Sequence, residues 1–468
     1  MRTENVNRKT KNAVAYLALA ACSACLLSSL TPSAQAQERG RITLWHVMGG
    51  PLKATLDTLT GGFRRETGIA VSAVNMGNYT ALSQKLMAAS AAGNLPEITQ
   101  SYEAWTSQLL EKDAVRPFQD FIAGPGGLDP ADLADIFPVM LDECSRNGGV
   151  VTLPFNKSVP VYYYNRNLFA AAGLDPDRFP ETWDGFVGAA RKLTVDRDGD
   201  GRPEQWGTAF PITSLWLFQC LILQHGADVF DSSGRAAFDG PEGVEALQLM
   251  ADLVHKHRVG YTTTGFEHQN DFLAGRVAMI QGSSASLAFL ALQKIPFQLG
   301  IAPLPGARRK AVVLSGTNMA MMRQEDSGAM EAAWRFARYL IRTDITARWS
   351  AETSYLPVRR SAFGHQLMVA KFRQYPGLER AYRQIEYAWP EPREVAWLTG
   401  RAIVEEEALQ PALKGLKTPE EALQHAAGKI NKQYGRIDEN PWISMLALLP
   451  IVIVSIVALI FTRKEKRK

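Results

Sequence analysis

Short runs of β-forming residues alternate with amphipathic helix patterns along most of this chain, and this alternation constrains its fold most strongly. Arg41–His46 (RITLWH) predicts a strand, and apolar residues at helical spacing follow it over residues 52–63. Residues 69–74 predict the next strand and residues 82–92 the next helix. Strands that alternate with helices favour an α/β fold with parallel pairing. About 400 residues in this order exceed one small domain, so we predict two α/β lobes joined by several chain crossings.

Both ends of the chain have the features of segments that meet a membrane. Residues 1–36 combine a basic start, an apolar run and the motif Ala34-Gln35-Ala36, which predicts a cleaved signal peptide. A lipoprotein site at Cys22 and an uncleaved anchor are the alternatives. Residues 442–462 contain no charge and precede the basic tail 463–468, which predicts a transmembrane helix with a cytoplasmic end. We therefore expect an extracytoplasmic body, periplasmic or on the outer face of the cell membrane, anchored by one C-terminal helix.

The body between these ends is mildly acidic, although the whole chain has a net charge of +4. The first 36 residues carry +3 and the last six carry +4, which leaves −3 for the body. An acidic body argues against nucleic acid as a partner. Two cysteines, Cys144 and Cys220, belong to the body, and an oxidising compartment permits a disulfide between them without requiring one.

The sequence contains no recognisable catalytic motif. Its seven histidines do not form a metal-binding pattern such as H-E-x-x-H. The run Gly282-Ser283-Ser284-Ala285-Ser286 lacks the final glycine of a nucleophile elbow. The acidic run at 405–407 is typical of a solvated helix face. We therefore predict a protein that is not an enzyme.

One segment has the spacing of a calcium-binding loop. Asp196, Asp198 and Asp200 alternate as in the head of an EF-hand loop, where oxygen ligands at positions 1, 3 and 5 converge on the ion. Gly207 stands where the final bidentate glutamate is expected, and Glu204 is the candidate substitute. A Gly/Asp turn without an ion is the alternative. Apart from this structural calcium, we predict no cofactor.

A series of short motifs extends over residues 42–433. In chain order they are LWHVMGG at 44–50, GNY at 77–79, SYE at 101–103, PFNKSVPVYYYN at 154–165, AGLDPDRFPETWDGF at 172–186, MIQGSSASLA at 279–288, SGTNM at 315–319, SYLP at 354–357 and RAIVEEE at 401–407. With these motifs the chain resembles extracellular solute-binding proteins of family 1. Within that family it is most similar to the sn-glycerol-3-phosphate-binding component of an ABC importer.

The resemblance implies a two-lobed periplasmic-binding-protein fold with a hinged cleft, and a division of the chain follows from it. The predicted segments are a signal peptide at 1–36, a solute-binding domain at 37–440 with lobe 1 at about 41–153 and 313–355 and lobe 2 at about 157–310 and 358–435, a transmembrane helix at 442–462 and a cytoplasmic tail at 463–468.

Seven positions keep the residue types of the family's glycerophosphate pocket. They are Tyr79, Glu103, Ser158, Ser283, Gly316, Tyr355 and Arg401. The resemblance implies that the Arg401 guanidinium binds the phosphate and that Glu103 accepts hydrogen bonds from glycerol hydroxyls. It places Tyr79 and Glu103 on lobe 1, and Ser158, Ser283 and Arg401 on lobe 2, so that a bound ligand favours closure. The implied partners are a glycerophosphate ligand and ABC permease subunits with a cytoplasmic ATPase.

Lys157 departs from this family pattern, which commonly has a small polar residue there. The predicted function is a membrane-tethered substrate-binding protein of an ABC importer that captures sn-glycerol 3-phosphate or a glycerophosphodiester. An oligosaccharide-binding protein of an ABC importer is the alternative within the family. A secreted glycerophosphodiester hydrolase is an alternative of a different class.

Overall fold

Two mixed β-sheets form the framework of the computed structural model, which describes residues 40–434. Their strands are β1 (Arg41–His46), β2 (Ala70–Asn75), β3 (Ile98–Ser101), β4 (Leu153–Ser158), β5 (Pro160–Asn165), β6 (Trp206–Pro211), β7 (Gly260–Thr263), β8 (Val277–Ser283), β9 (Leu299–Pro303) and β10 (Ser315–Met321). The first sheet has the order β2-β1-β3-β10-β4 and the second has the order β9-β5-β8-β6-β7. Each sheet is the centre of one lobe.

Each sheet contains both parallel and antiparallel pairs. In the first, β1 is parallel to β2 and β3, whereas β10 is antiparallel to β3 and β4. In the second, β6 is parallel to β7 and β8, whereas β5 is antiparallel to β8 and β9. The antiparallel strands β4, β5 and β10 flank the points where the chain passes from one lobe to the other.

The helices that cover the sheets and shape the cleft lie between these strands and after β10. They include α1 (Gly50–Thr67), α2 (Tyr79–Ala92), α3 (Glu103–Glu111), α4 (Pro138–Cys144), α5 (Trp183–Leu193), α6 (Leu215–His225), α7 (Pro241–Val254), α8 (Ser327–Leu340), α9 (Thr343–Thr353), α10 (Gln366–Gln374), α11 (Trp397–Val404) and α12 (Pro419–Tyr434). Helices α1, α8 and α9 contact one another in the first lobe, and α11 and α12 join α7 in the second.

The β1–α1 unit shows how the sequence pattern produces the local structure. Alternate residues of β1, including Ile42 and Leu44, are fully buried, and Leu56 and Phe63 bury the inner face of α1. The helix ends at Gly68, whose φ of 76° is the left-handed conformation that glycine adopts without a Cβ penalty. The predicted strand and helix at this position are confirmed.

The first crossing between the lobes lies after Ser158. Val159 alone separates β4 of the first sheet from β5 of the second. Lys157 and Ser158 are therefore in the first sheet, where Ser158 is opposite Ser315. This corrects the prediction that Ser158 lies on lobe 2, because the family motif spans the crossing and does not mark the residue at which it occurs.

The structure also corrects the predicted fold class. The two-lobed α/β fold is confirmed, but the transmembrane helix added to it is not supported: within residues 40–434, no helix has both the length and the apolar character needed to cross a bilayer. The segments predicted as signal peptide (1–36), transmembrane helix (442–462) and basic tail (463–468) lie outside the described residues.

Cys144 and Cys220 do not form a disulfide. Both are free and buried, and burial raises the pKa of each thiol to about 12. The Cys220 sulfur accepts a hydrogen bond from the backbone N–H of Val313 at 3.3 Å. Both residues are neutral core thiols at physiological pH.

Candidate functional site

A cavity of about 550 Å³ lies between the two lobes. Its first-lobe wall comes from α2 and α3, and its other wall comes from α11 and the segment that precedes it. Four aromatic rings line it, from Tyr79, Tyr102, Trp105 and Trp397. Three charged residues also line it, namely Glu391, Arg401 and Glu405. An aromatic cleft with a few polar groups is the usual form of a small-molecule site.

The first-lobe wall is a cluster of three aromatic rings. The ring of Tyr102 lies 5.1 Å from that of Tyr79 and 5.1 Å from that of Trp105, in edge-on geometry. The Asn78 side chain caps α2 by accepting a hydrogen bond from the backbone N–H of Ala81, so Tyr79 occupies the first turn of the helix. Burial raises the pKa of the phenols of Tyr79 and Tyr102, and both therefore remain protonated donors.

The opposite wall carries an ion pair between Arg401 and Glu391. Arg401 Nη1 lies 2.9 Å from Glu391 Oε1 and 3.0 Å from Oε2. The Glu391 side chain is 4% exposed, whereas that of Arg401 is 40% exposed. The Glu391 carboxylate raises the pKa of Arg401, and burial raises the pKa of Glu391 despite the nearby guanidinium. The cavity thus presents one permanent cation, already paired.

Tyr355 lies next to the first wall in a polar cluster. The amide of Asn156 donates to the Tyr79 hydroxyl at 3.2 Å, and its carbonyl oxygen accepts from Gln100 Nε2 at 2.9 Å. Tyr355 stacks on Trp349, with ring centroids 6.0 Å apart, and burial raises the pKa of its hydroxyl. This cluster holds the Tyr79 ring in place through buried hydrogen bonds.

Glu103 is held inside the first lobe and does not line the cavity. Its Oε1 accepts hydrogen bonds from Asn318 Nδ2 at 2.8 Å and from Lys157 Nζ at 3.2 Å. Lys157 Nζ also lies 2.6 Å from Glu143 Oε2 and donates to the Gly316 carbonyl at 2.8 Å. All three charged side chains are at most 1% exposed. Glu103 therefore belongs to a buried triad with Lys157 and Glu143.

The pKa shifts within this triad follow from burial and charge. Burial and the neighbouring Glu103 carboxylate raise the pKa of Glu143 well above its ordinary value. Burial disfavours the charge on Lys157, but the two carboxylates outweigh that effect and raise its pKa. Lys157 thus remains an ammonium, and Glu143 has a strong tendency to hold a proton.

The other three predicted residues are not among those that line this cavity. Ser158 ends β4, and Ser283 ends β8, where its hydroxyl accepts a hydrogen bond from the Ala285 N–H at 3.2 Å. Gly316 has a φ of 110°, and a Cβ there would lie 1.9 Å from the Asn156 carbonyl oxygen. The backbone φ and the close approach of β10 to β4 are sufficient reasons for a glycine at this position. Of the seven predicted residues, Tyr79 and Arg401 line the cavity.

Most of the residues that line the cavity are not among the seven predicted from the sequence. Tyr102 lies within the SYE motif and Glu405 within RAIVEEE, but neither motif marks the residue as part of a site. Trp105 and Trp397 sit in helices where an aromatic residue is ordinarily part of the core. For Glu391, the flanking Pro390 and Pro392 were the only local sign of a constrained loop.

The predicted calcium loop brings three of its four acidic residues together. Ligand oxygens of Asp196, Asp198 and Glu204 lie within 4.8 Å of one another, and all three residues are exposed. Asp200 does not join them; its Oδ1 accepts a hydrogen bond from the Arg202 N–H at 2.7 Å. Both oxygens of Asp196 accept from backbone amides, those of Gly199 and Gly201.

Comparison with known proteins shows a consistent set of relatives. A family model described as bacterial extracellular solute-binding protein matches residues 60–378. The sn-glycerol-3-phosphate-binding periplasmic protein UgpB of Pectobacterium atrosepticum is 28% identical over 437 residues, covering 90% of this chain and 97% of that protein. UgpB of Yersinia pseudotuberculosis is 28% identical over 418 residues, covering 86% of this chain and 94% of that protein.

Two solved structures share the fold over most of the chain. UgpB from Mycobacterium tuberculosis, in complex with glycerophosphocholine, has a TM-score of 0.74 at 22% identity and covers 85% of this chain and 99% of its own. The cyclic α-maltosyl-1,6-maltose binding protein from Arthrobacter globiformis has a TM-score of 0.72 at 25% identity, with coverages of 84% and 98%.

These relatives are extracellular or periplasmic binding proteins that carry a solute without transforming it. The predicted resemblance is therefore confirmed, and so are the prediction that the chain is not an enzyme and its predicted place outside the cytoplasm.

Proposed function

Because this chain belongs to the bacterial extracellular solute-binding protein family, we propose that it is the substrate-binding component of an ABC importer and captures sn-glycerol 3-phosphate or a glycerophosphodiester. The observation that carries this proposal is Arg401, a permanent cation in the cavity between the lobes. A guanidinium binds phosphate oxygens through two parallel hydrogen bonds, so it suits a phosphate ester better than a neutral solute.

The relatives support the same ligand class. The UgpB proteins of Pectobacterium atrosepticum and Yersinia pseudotuberculosis bear the name of sn-glycerol 3-phosphate, and the mycobacterial UgpB structure contains glycerophosphocholine. The aromatic wall of Tyr79, Tyr102 and Trp105 offers apolar surface for a glycerol skeleton and phenolic donors for its hydroxyls.

The proposed mechanism is closure of the lobes on the ligand, followed by docking on permease subunits that a cytoplasmic ATPase drives. Tyr79 comes from the first lobe, and Arg401 lies on α11, which packs with the second. A ligand that contacts both walls binds the closed form better than the open form and shifts the population toward it.

An oligosaccharide is the second candidate ligand, and the aromatic lining is the observation that favours it. Sugar rings stack on aromatic side chains, and four such residues face the cavity. The sugar-binding protein from Arthrobacter globiformis shares the fold. A neutral sugar has no need of the Arg401 cation, so the two candidates differ in their dependence on that residue.

A thermal-shift screen of the purified protein tests the proposal. The compounds are glycerol 3-phosphate, glycerophosphocholine, inorganic phosphate, maltose and trehalose. A ligand that binds only the folded state at about 100 times its Kd stabilises it by about 2.7 kcal/mol. We expect a rise in melting temperature with glycerol 3-phosphate or glycerophosphocholine and none with the disaccharides. A rise with a disaccharide alone would support the second candidate and contradict the first.

We also propose that the loop at 196–204 binds a structural calcium ion through Asp196, Asp198 and Glu204. Three convergent carboxylates supply the hard oxygen ligands that Ca²⁺ prefers. Calcium is expected to raise the melting temperature of the parent protein. In Asp198→Ala the same rise is expected to require about tenfold more calcium.

Asp200→Ala is the matched control for this calcium prediction. Asp200 lies in the same loop but does not converge with the other three carboxylates, so this variant is expected to keep most of the response. Melting curves in calcium and in chelator measure both variants. If calcium does not change the melting temperature of the parent protein, the proposed calcium site is wrong.

A further inference from the structure

A short irregular segment, residues 390–396, contacts both lobes beside the cavity. It starts after Trp389, whose carbonyl accepts a hydrogen bond from the Leu314 N–H at 2.7 Å, and it ends at α11. Arg393 Nη2 donates to Asp142 Oδ2 of α4 at 2.6 Å, and the Arg393 carbonyl accepts from Ser107 Oγ of α3 at 3.0 Å. We name this segment the interlobe strap.

The strap carries one carboxylate into the cavity. Glu391 is flanked by Pro390 and Pro392, whose rings restrict the backbone on both sides. Its side chain is 4% exposed and places both oxygens within 3.0 Å of Arg401 Nη1. In this position Glu391 accepts both of its hydrogen bonds from Nη1, a donor that a phosphate group on the same guanidinium would also use.

Two anions cannot both bind Arg401 Nη1 at low cost. The cavity measures about 550 Å³, and Glu405 is a second carboxylate on its lining. A phosphate placed beside a charged Glu391 would meet like-charge repulsion, and a Glu391 that lost its partner while still buried would be a poorly solvated charge. Arg401 is thus fully available to an anion only after Glu391 has moved away.

We propose that Glu391 is an internal counter-ion that occupies the anion position on Arg401 and that an incoming phosphate ester must displace it. This inference rests on the proposed function, since it concerns the same cavity. Displacement lowers the affinity for anions, whereas a neutral solute that leaves Arg401 alone does not require it. Glu391 therefore determines specificity, because an anion binds Arg401 only when its binding free energy exceeds the cost of displacing Glu391.

The test is isothermal titration calorimetry of the full chain with inorganic phosphate, glycerol 3-phosphate and maltose. Glu391→Gln keeps the size of the side chain but removes the competing charge, and it is expected to tighten binding of glycerol 3-phosphate by about tenfold. Binding of inorganic phosphate should tighten as well. The titration with maltose should give the same result in the variant as in the parent protein, either the same affinity or no binding in both.

Glu405→Gln is the matched control, because it removes the same charge from the same cavity without breaking the hydrogen bonds to Arg401. It is expected to tighten anion binding less than Glu391→Gln does. Glu391→Ala, which removes the side chain entirely, should tighten anion binding as the glutamine variant does, and melting curves establish that each variant folds.

The outcomes separate this inference from the proposed function. If the parent binds glycerol 3-phosphate and neither Glu391 variant binds it more tightly, the counter-ion role is overturned and the proposed function stands. Weaker binding in both variants would also overturn it, because Glu391 would then position Arg401 for the ligand. If neither parent nor variants bind any anion, both proposals fail together.

Discussion

Lys157→Met is expected to lower the free energy of unfolding by about 3–5 kcal/mol, the usual cost of removing one partner from a buried ion pair. Lys157 contacts Glu103 and Glu143 in the interior of the first lobe, and all three side chains are at most 1% exposed. Without the ammonium, two buried carboxyl groups face each other with no cation between them. Chemical denaturation followed by fluorescence measures the loss.

The loss of unfolding free energy in Lys157→Met, called its deficit below, should depend on pH in a defined direction. Burial and Glu103 already hold the pKa of Glu143 above its unfolded value, so the folded state retains a proton that the unfolded state releases above pH ~4.5. Stability falls as pH rises in such a case, and the loss of Lys157 strengthens this effect. We therefore expect the deficit to be largest near neutral pH and to shrink as the pH falls toward ~4.5.

Two further variants make the Lys157 prediction specific. Lys53→Met removes a lysine from an exposed i,i+4 pair with Asp57, and a change within about 0.5 kcal/mol is expected there. Adding Glu143→Gln to Lys157→Met should recover part of the lost stability, because it removes one of the two unpaired carboxyl groups. Equal stability of Lys157→Met and the parent would contradict the triad.

Arg401→Ala is expected to weaken binding of glycerol 3-phosphate by about 30-fold or more, which corresponds to the 2–5 kcal/mol lost when a hydrogen-bonded charge pair in a binding site is truncated. Arg401 is the cation among the residues that line the cavity between the lobes. Arg401→Lys keeps the charge but loses the two-pronged geometry, so an intermediate affinity is expected. Calorimetric titration measures all three proteins.

The same substitution should also lower stability, because Arg401 is the counter-ion of a buried residue. Glu391 is 4% exposed, and in Arg401→Ala its carboxylate loses both hydrogen bonds. Arg348→Ala is the control, since Arg348 forms an exposed i,i+4 pair with Glu352 on α9 and should affect neither property. Undiminished affinity of Arg401→Ala for glycerol 3-phosphate would contradict the proposed ligand class.

Much of the fold was predictable because it depends on local patterns. The alternation in β1 and the apolar spacing of α1 predict a buried strand and a helix with one buried face, and the structure contains both. The mixture of parallel and antiparallel strand pairs in each sheet was not predictable in the same way. Whether β10 pairs antiparallel with β3 and β4 depends on how the chain returns from the other lobe, over a sequence separation of more than 150 residues for β4.

The site illustrates the same limit with particular residues. Tyr79 and Arg401 matched a family pattern and do line the cavity. Glu103 matched equally well, yet it faces Lys157 and Glu143 in the lobe interior. No pattern around residue 103 contains the position of Glu143, because their contact exists only when α3 packs on β10 and α4 packs on β4.

The sequence alone was sufficient to predict the two-lobed α/β class, the family resemblance, the absence of catalytic motifs and two residues of the cavity wall. Residue types and their spacing carry that information, since strand and helix periods are set by the backbone. The tertiary structure alone decided which charges meet. The Arg401–Glu391 pair and the Lys157 triad are contacts between segments joined by loops and crossings, and their energies depend on burial that no local pattern contains.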